Sequence, residues 1–162
     1  MIYSKSLTVP AQTPRSSPVK TVCHVTRGLV YKLEIRIPPG HAGLTGIWIT
    51  HGGFQVWPST LGEYFVGDDD LISYEDVYLL ESAPYCFNIY AFNNDDTFPH
   101  SFYVRFGVVS KEIYMARYLP TLSHDYLANL IKQLQEEQLE RQREQESLLL
   151  ENPFPWVSKE ES

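Results

Sequence analysis

The chain has 162 residues, of which 43% are hydrophobic and 14% aromatic, and it carries a formal net charge of −7 at pH 7. This length predicts one domain with appendages, large enough to bury a core without disulfides or metals. Nine of the acidic residues lie between 123 and 162, so the rest of the chain is nearly neutral and lacks the clustered lysines and arginines of a general nucleic-acid-binding protein.

The first residues and the two cysteines indicate a soluble protein made in a cytosol. Ser4, Lys5 and Ser6 interrupt the N-terminal apolar residues, so we expect no signal peptide, and no later apolar run predicts a membrane span. Cys23 and Cys86 lie in strand-like segments. We interpret them as small core residues; a disulfide or a metal site is the alternative.

Residues 1–19 are predicted to form an extended N-terminal arm. Pro10, Pro14 and Pro18 recur every four residues and prevent a helix or a central strand. Two interpretations stay open: a disordered leader, or an arm that becomes ordered on a neighbouring subunit. The second would bury the apolar side chains of the segment, which are Ile2, Tyr3, Leu7 and Val9.

Residues 20–118 are predicted to form an antiparallel β-sandwich or jelly roll. Within 29–37, every second residue is apolar, which is typical of a half-buried strand. Turn sequences separate seven strand-like segments, near 20–27, 28–37, 46–50, 54–57, 71–80, 84–92 and 101–110. Short strands in this number, with no helix between them, are typical of a sandwich or jelly roll.

Two of these strands are predicted to form a hairpin at the core. Apolar residues alternate over 85–91 and again over 102–108, on either side of a polar loop. Together with the strand at 28–37, they predict six buried side chains: Leu33, Ile35, Phe87, Ile89, Val104 and Phe106.

A C-terminal helix is predicted over 119–150, with Ser123 as its N-cap. Its apolar stripe ends at Leu134, and from 135 to 147 the only apolar residue is Leu139. A polar helix of this kind is marginal in water on its own. We therefore expect another subunit or a shell protein to hold its second half.

Residues 151–162 are predicted to form an apolar and acidic docking tail. Phe154 and Trp156 alternate with prolines behind the polar stretch of the helix, and two glutamates follow. An unstructured terminus is the alternative.

The histidines do not indicate a reaction centre. They are scattered without metal-ligand spacing, at His24, His41, His51, His100 and His124. The chain has no nucleophile elbow and no glycine-rich phosphate loop, and Gly52-Gly53 after a histidine is typical of a turn. We predict that the protein is not an enzyme and holds neither a metal nor a cofactor.

Two acidic loops suggest calcium as a competing hypothesis. Asp68, Asp69 and Asp70 lie in one loop and Asn94-Asp95-Asp96 in another, and oxygen-rich loops at one end of a sandwich are what Ca²⁺ requires. Asp and Asn are also ordinary turn formers, and neither loop has alternating acids. We therefore favour turns over a calcium-dependent lipid-binding or sugar-binding module.

Aromatic residues in or beside loops suggest either a contact surface between subunits or a platform for stacking sugars. They are Trp48, Phe54, Trp57, Tyr64, Phe65 and Phe98. A carbohydrate-binding module is therefore the alternative function to an assembling protein.

Three segments resemble small proteins encoded by tailed bacteriophages. They are residues 52–59 (GGFQVWPS), 83–85 (APY) and 93–98 (NNDDTF), within a resemblance that spans about 25–115. It implies a virion accessory role, such as a capsid decoration or cement protein that is made in the host cytoplasm and located in the virion. The implied partners are further copies in a homotrimer and the major capsid protein or another virion protein, with no nucleic acid and no membrane.

The contacts of such an assembly are predicted to use apolar and aromatic side chains of the arm, the sandwich, the helix and the tail. The residues proposed are Tyr3, Leu7, Trp48, Trp57, Leu139, Phe154 and Trp156.

Overall fold

The computed structural model describes residues 1–118 and 124–151. Within these ranges the elements are β1 (Ile2–Val9), β2 (Val19–His24), β3 (Gly28–Ile37), β4 (Thr45–His51), β5 (Phe54–Trp57), β6 (Asp70–Leu80), β7 (Cys86–Asn93), β8 (His100–Val109), α1 (Lys111–Tyr118) and α2 (His124–Glu151). The predicted fold class, an antiparallel β-sandwich with a C-terminal helix, is confirmed.

The strands form two four-stranded antiparallel sheets. Sheet A has the order β1-β8-β3-β6, and sheet B has the order β2-β7-β4-β5. β1 pairs with β8, β2 with β7, β3 with β6 and β4 with β5, so the second half of the chain returns along the first in reverse order. This is a jelly roll, a long antiparallel ribbon folded into two sheets. One flank of the sandwich is bounded by β1 and β2, and the other by β5 and β6.

The core lies between the two sheets and contains the residues expected there. All six side chains predicted for it are fully buried. The rings of Phe87 and Phe106 stack across the sandwich with centroids 4.7 Å apart. Burial of each large apolar side chain contributes about 1.5–3 kcal/mol, so this layer is the main source of stability.

The predicted hairpin of β7 and β8 is wrong. β7 lies in sheet B between β2 and β4, whereas β8 lies in sheet A between β1 and β3. Their apolar faces meet across the core and not within one sheet. Alternation identifies the buried face of a strand, but it carries no information about which strand lies beside it.

A bulge in β3 divides its predicted apolar face. The register shifts between Val30 and Lys32 in the pairing with both neighbouring strands. Val30 is therefore buried in the main core, whereas Leu29 turns to the outer face of sheet A and packs near Ile131 of α2. The ring of Tyr31 lies over a glycine of β8 on this outer face. An extra residue in one strand reverses the side-chain alternation in this way.

The first nine residues form a strand of the sandwich and not a free arm. β1 pairs with β8 in unbroken register from Ile2 opposite Gly107 to Val9 opposite His100. The arm prediction for 1–19 is therefore wrong for Ile2–Val9. The three prolines all follow β1, so they do not interfere with its pairing at the edge of the sheet.

Two helices follow the sandwich, where one was predicted. α1 lies inside the segment 20–118 that was assigned to the sandwich, and α2 matches most of the predicted helix 119–150. Ser123 and the tail 152–162 lie outside the described residues. In the part of the chain that the structure describes, no helix is long and apolar enough to cross a membrane.

Candidate interaction surface

Two of the predicted contact residues belong to the protein's own core. Leu7 is 4% exposed and Trp57 is 2% exposed. The indole of Trp57 packs near Phe87 and Phe106, and its Nε1 donates a hydrogen bond to Asp76 Oδ2 at 2.7 Å. These side chains are not available to a partner, so their assignment to a contact surface is wrong.

Trp48 is also covered within the chain. It is 5% exposed and stacks on Tyr90 with ring centroids 5.4 Å apart. Beside it, Tyr64 packs edge-on against Phe92, and both rings lie where a side chain at Gly46 would clash. The aromatic residues of sheet B thus pack on one another, and the predicted platform around Trp48 is not formed.

The remaining predicted residues have different surroundings. Tyr3 is partly buried, and its hydroxyl donates to Thr26 Oγ1 at 2.9 Å, which links β1 to the segment after β2. Leu139 is 47% exposed on α2. Phe154 and Trp156 lie outside the described residues. The structure therefore does not bring the five described residues together into one surface.

The carboxylates of the acidic loops bind backbone amides. Asp68 Oδ1 accepts hydrogen bonds from the amides of Gly40 and His41. Asp95 Oδ1 accepts from the amides of Thr97 and Phe98. Both carboxylates thus hold turns, as the residue types favour. Among the described residues, no group of His, Cys, Asp and Glu is arranged to hold a metal ion.

Two histidine rings are in contact, tilted by 38° to each other, at the end of the sandwich where these loops meet. The rings of His41 and His100 have centroids 4.4 Å apart, and both residues are buried. His41 Nδ1 contacts Thr45 Oγ1 at 2.6 Å, and His100 Nε2 contacts Asp95 Oδ2 at 2.9 Å. The two imidazoles touch without a hydrogen bond between them, since each uses a ring nitrogen on another side chain, so the cluster does not form a proton relay.

The electrostatics of this cluster favour a neutral His41. Burial lowers the pKa of His41, and His100 lowers it further, while Ser101 and Asp68 act in the opposite direction. The amide of Thr97 and then the His100 ring lower the pKa of Asp95 to about 2. The ionised Asp95 carboxylate therefore ties the loop 94–99 to the start of β8, and the contact between the His41 and His100 rings joins it to the loop 38–44.

The second half of α2 is held on the domain by glutamine side chains. Gln145 Oε1 accepts a hydrogen bond from the Gln55 amide at 2.8 Å, and Gln145 Nε2 donates to the Gln55 carbonyl at 2.5 Å. Gln55 lies in β5, the edge strand of sheet B. A side-chain amide has the same donor and acceptor as a peptide group, so Gln145 covers this edge as a further strand would. The expectation that another subunit must hold this half of α2 is wrong.

A groove of about 490 Å³ lies between α2 and the end of β6. Arg27, His51 and Glu81 lie on its sandwich side, and Gln135 and Gln138 on its helix side. Gln138 Nε2 is buried and has no hydrogen-bond partner among the described residues. Polar groups of this kind suit a small neutral polar ligand.

The β1/β2 flank carries no comparable cover in the described part of the chain. Met1 and Val108 exchange two hydrogen bonds, from Met1 N to Val108 O at 2.6 Å and from Val108 N to Met1 O at 2.8 Å. Hydrogen-bonded and non-hydrogen-bonded pairs alternate in an antiparallel ladder. Every second residue of β1 therefore directs its backbone N–H and C=O groups away from β8. These outward-facing and exposed residues are Ile2, Ser4, Ser6 and Thr8.

Lys5 on β1 and Lys20 on β2 bring positive charge to this flank. Burial raises the pKa of the Cys23 thiol on β2, and Lys5 acts in the opposite direction, so the ammonium group lies within electrostatic range of that strand. A lysine that points toward the inside of an edge strand opposes uncontrolled pairing with other sheets. The edge is therefore open but not neutral.

Comparisons with known proteins identify no family for this chain. No family model and no curated protein matches the chain. The crystal structure of the Yersinia pseudotuberculosis-derived mitogen has a TM-score of 0.37 at 15% identity, covering 67% of this chain and 86% of that chain. The crystal structure of PirA has a TM-score of 0.30 at 17% identity, covering 65% and 94%. At these TM-scores neither protein carries an argument about the function of this one.

The sequence analysis predicted neither the open edge of β1 nor the covering of β5 by α2. The sequence of α2 did contain a signal for the second of these. Gln138, Gln142 and Gln145 recur with the 3–4 residue spacing that continues from Ile131 and Leu134. This spacing places all five on one face of α2. Polar residues at positions that should face the core indicate a polar partner, here the backbone of an edge strand.

Proposed function

We propose that this protein is a non-enzymatic structural protein of a tailed-phage virion, of the capsid decoration or cement type. The observation that carries the proposal is the difference between two edge strands, β5 and β1. Gln145 covers the edge of β5, whereas the outward backbone groups of β1 stay exposed. An exposed edge strand offers its backbone groups to a further strand, so β1 is a site at which a neighbouring chain can attach.

The resemblance of residues 25–115 to small phage proteins supports the virion setting. The fold supports the structural role, because the acidic loops and the histidines, which were candidates for chemistry, are used to hold turns together. A jelly roll is also a common architecture of viral shell proteins. The proposed partners are further copies of the chain and a shell protein of the same virus.

The proposed assembly is a homotrimer. An interface that joins an open flank to a different surface of the next copy is heterologous, and it closes into a ring when the rotation allows. Sedimentation velocity should give a mass of about 56 kDa, three times the 18.7 kDa of one chain. A monomer at all concentrations that also fails to co-sediment with purified shells of the same virus would contradict the proposal.

Carbohydrate binding is a second candidate, which the groove beside α2 favours. Gln138 Nε2 is an unused donor at this groove, and a hydroxyl of a sugar would satisfy it. Titration with a panel of mono- and disaccharides should then shift NMR signals of the groove, and Gln138→Ala should weaken binding. Shifts that are absent, or that fall elsewhere on the protein, would remove this candidate.

A further inference from the structure

We propose that the open edge of β1 binds residues 152–162 of a second copy of this chain, which add to sheet A as a fifth strand. The proposal rests on the proposed function, because it names the partner of the β1/β2 flank. The binding segment has the sequence NPFPWVSKEES. Strand addition of this kind uses backbone hydrogen bonds for affinity and side chains on one face for specificity.

The spacing of the prolines suits a strand that pairs on one side only. In a strand, alternate residues direct their backbone groups to opposite edges. Pro153 and Pro155 have the same parity, so both missing N–H groups fall on one edge, while Phe154 and Trp156 present complete backbone groups on the other. The proline edge then prevents any further strand from adding.

The prolines also lower the cost of ordering the segment. A residue before proline is biased away from the helical region, and Asn152 and Phe154 both precede prolines in the sequence, so an extended bound form suits them. Less conformational entropy is therefore lost when the segment pairs with β1.

The outer face of sheet A has a place for aromatic side chains beside β1. Ser6 lies directly opposite Tyr103 in the register of β1 and β8. Tyr103 is 43% exposed and Ile2 is 72% exposed, because the serines between them are too small to cover either. In an added strand, residues paired with Ser4 and Ser6 direct their side chains to this same face. Phe154 and Trp156, which alternate with the two prolines, would take these positions and place their rings on the outer face of sheet A.

The occupant is a second copy and not the same chain. α2 reaches the edge of β5 at Gln145, on the flank opposite β1, and ends at Glu151. With strands about 4.8 Å apart, the width of the whole sheet separates that edge from the other flank. The last described residues of α2 therefore lie on the side of the sandwich away from their own β1.

A second β1 strand is a poorer occupant than the tail. Full antiparallel overlap of two β1 strands, with Ser4 of each copy paired with Ser6 of the other, places Lys5 directly opposite Lys5 of the second copy. Like charges in this position destabilise a pair of strands. The tail carries two glutamates and one lysine, so it brings no such repulsion.

The first experiment measures binding of a 152–162 peptide to the chain that ends at Glu151. That truncated chain retains every described contact of the sandwich and α2. We expect saturable binding that Ser6→Pro weakens by about tenfold or more, because the outward amide is lost while no bond to β8 is removed. The matched control, Ser6→Ala, keeps the amide and should bind as the parent does.

Peptide variants test the same pairing without changing the protein. Phe154→Pro puts a proline on the pairing edge and should bind about tenfold more weakly than Phe154→Ala. Val157→Pro has the parity of the natural prolines and should bind as the native peptide does. This comparison stays decisive if Ser6→Pro fails to fold.

The inference is overturned by a peptide that does not bind, or by binding that is unaffected by both Ser6→Pro and the change in proline position. A full-length monomer with a protected tail would also overturn it, because the occupant would then be the same chain. If instead truncation after Glu151 leaves the trimer mass unchanged, the inference fails while the proposed function survives. If the full chain neither assembles nor binds shells, the proposed function itself fails.

Discussion

Leu33 is a residue whose burial follows directly from the alternation of β3. It is fully buried between the two sheets. Leu33→Ala removes its packing and leaves a cavity, so we expect a loss of about 2–5 kcal/mol in the free energy of unfolding, measured by denaturant titration. Glu34→Ala on the opposite face is the control, because it removes only surface ion pairs with Lys32 and Arg105, which are worth about 0–1 kcal/mol. Equal effects of the two changes would contradict the assignment of the buried face.

At the same scale, His41 makes stability depend on pH. Burial lowers its pKa in the folded protein below the ordinary value of 6.5, so the unfolded chain takes up a proton that the folded chain resists. The stabilisation is therefore complete at neutral pH and is lost as the pH falls below about 6.5. Protonation would place a buried charge against the His100 ring. We expect the melting temperature to fall between about pH 7 and pH 5.

The control for this prediction separates His41 from other titrating groups. His41→Asn should remove most of the change in melting temperature over this pH range, whereas His24→Asn, at an exposed position, should retain it. Asp95 acts in a lower range, because its folded pKa of about 2 lies below the ordinary value of 3.8, so its contribution disappears only as the pH falls from about 4 to about 2. An unchanged profile in His41→Asn would assign the effect to another group.

At the scale of elements, the attachment of α2 to β5 depends on one side chain. Gln145→Ala leaves the N–H and the C=O of Gln55 without their partners. We expect a loss of about 1–3 kcal/mol in the free energy of unfolding, measured by denaturant titration. Gln133→Ala, an exposed glutamine of the same helix, is the matched control and should be nearly neutral. A neutral Gln145→Ala would show that other contacts hold the helix.

The elements themselves were predictable to different degrees. Seven of the eight strands follow from alternation and turn sequences, because a half-buried strand has a fixed period of two. β1 was missed because the prolines after it suggested an arm, and the bulge near Val30 was missed because it leaves no signal in the alternation. The glutamines of α2 suggested a solvent-facing helix. Their role depends on the polar backbone edge that β5 presents to them.

At the scale of the whole molecule, β1 joins the first residues of the chain to the last strand of the sandwich. Deletion of residues 1–9 removes the buried side chains of Leu7 and Val9 and exposes the edge of β8. Two such side chains contribute about 3–6 kcal/mol, a large part of the stability of a typical domain. We therefore expect the shortened chain to unfold or aggregate, as measured by circular dichroism and light scattering.

This expectation corrects the hypothesis of a detachable arm, under which the sandwich would fold without its first residues. Removal of 152–162 is the control, because none of the described contacts of the fold involves that segment. A deletion of 1–9 that melts at the same temperature as the full chain would restore the arm hypothesis.

The fold class, most strands and most of their buried faces could be read from the sequence alone, because side-chain period and turn chemistry are local properties of the chain. The tertiary structure decided which strands are neighbours, since β1 and β8 pair across about 100 residues that carry no local sign of the pairing. It also decided the fate of the aromatic residues. Tryptophan is a residue type typical of contact surfaces, yet Trp57 and Trp48 are both buried, because burial depends on what the rest of the chain places against a side chain. In the same way, the edge of β5 is covered because α2 lies against it, whereas the described residues place no element against the outward edge of β1.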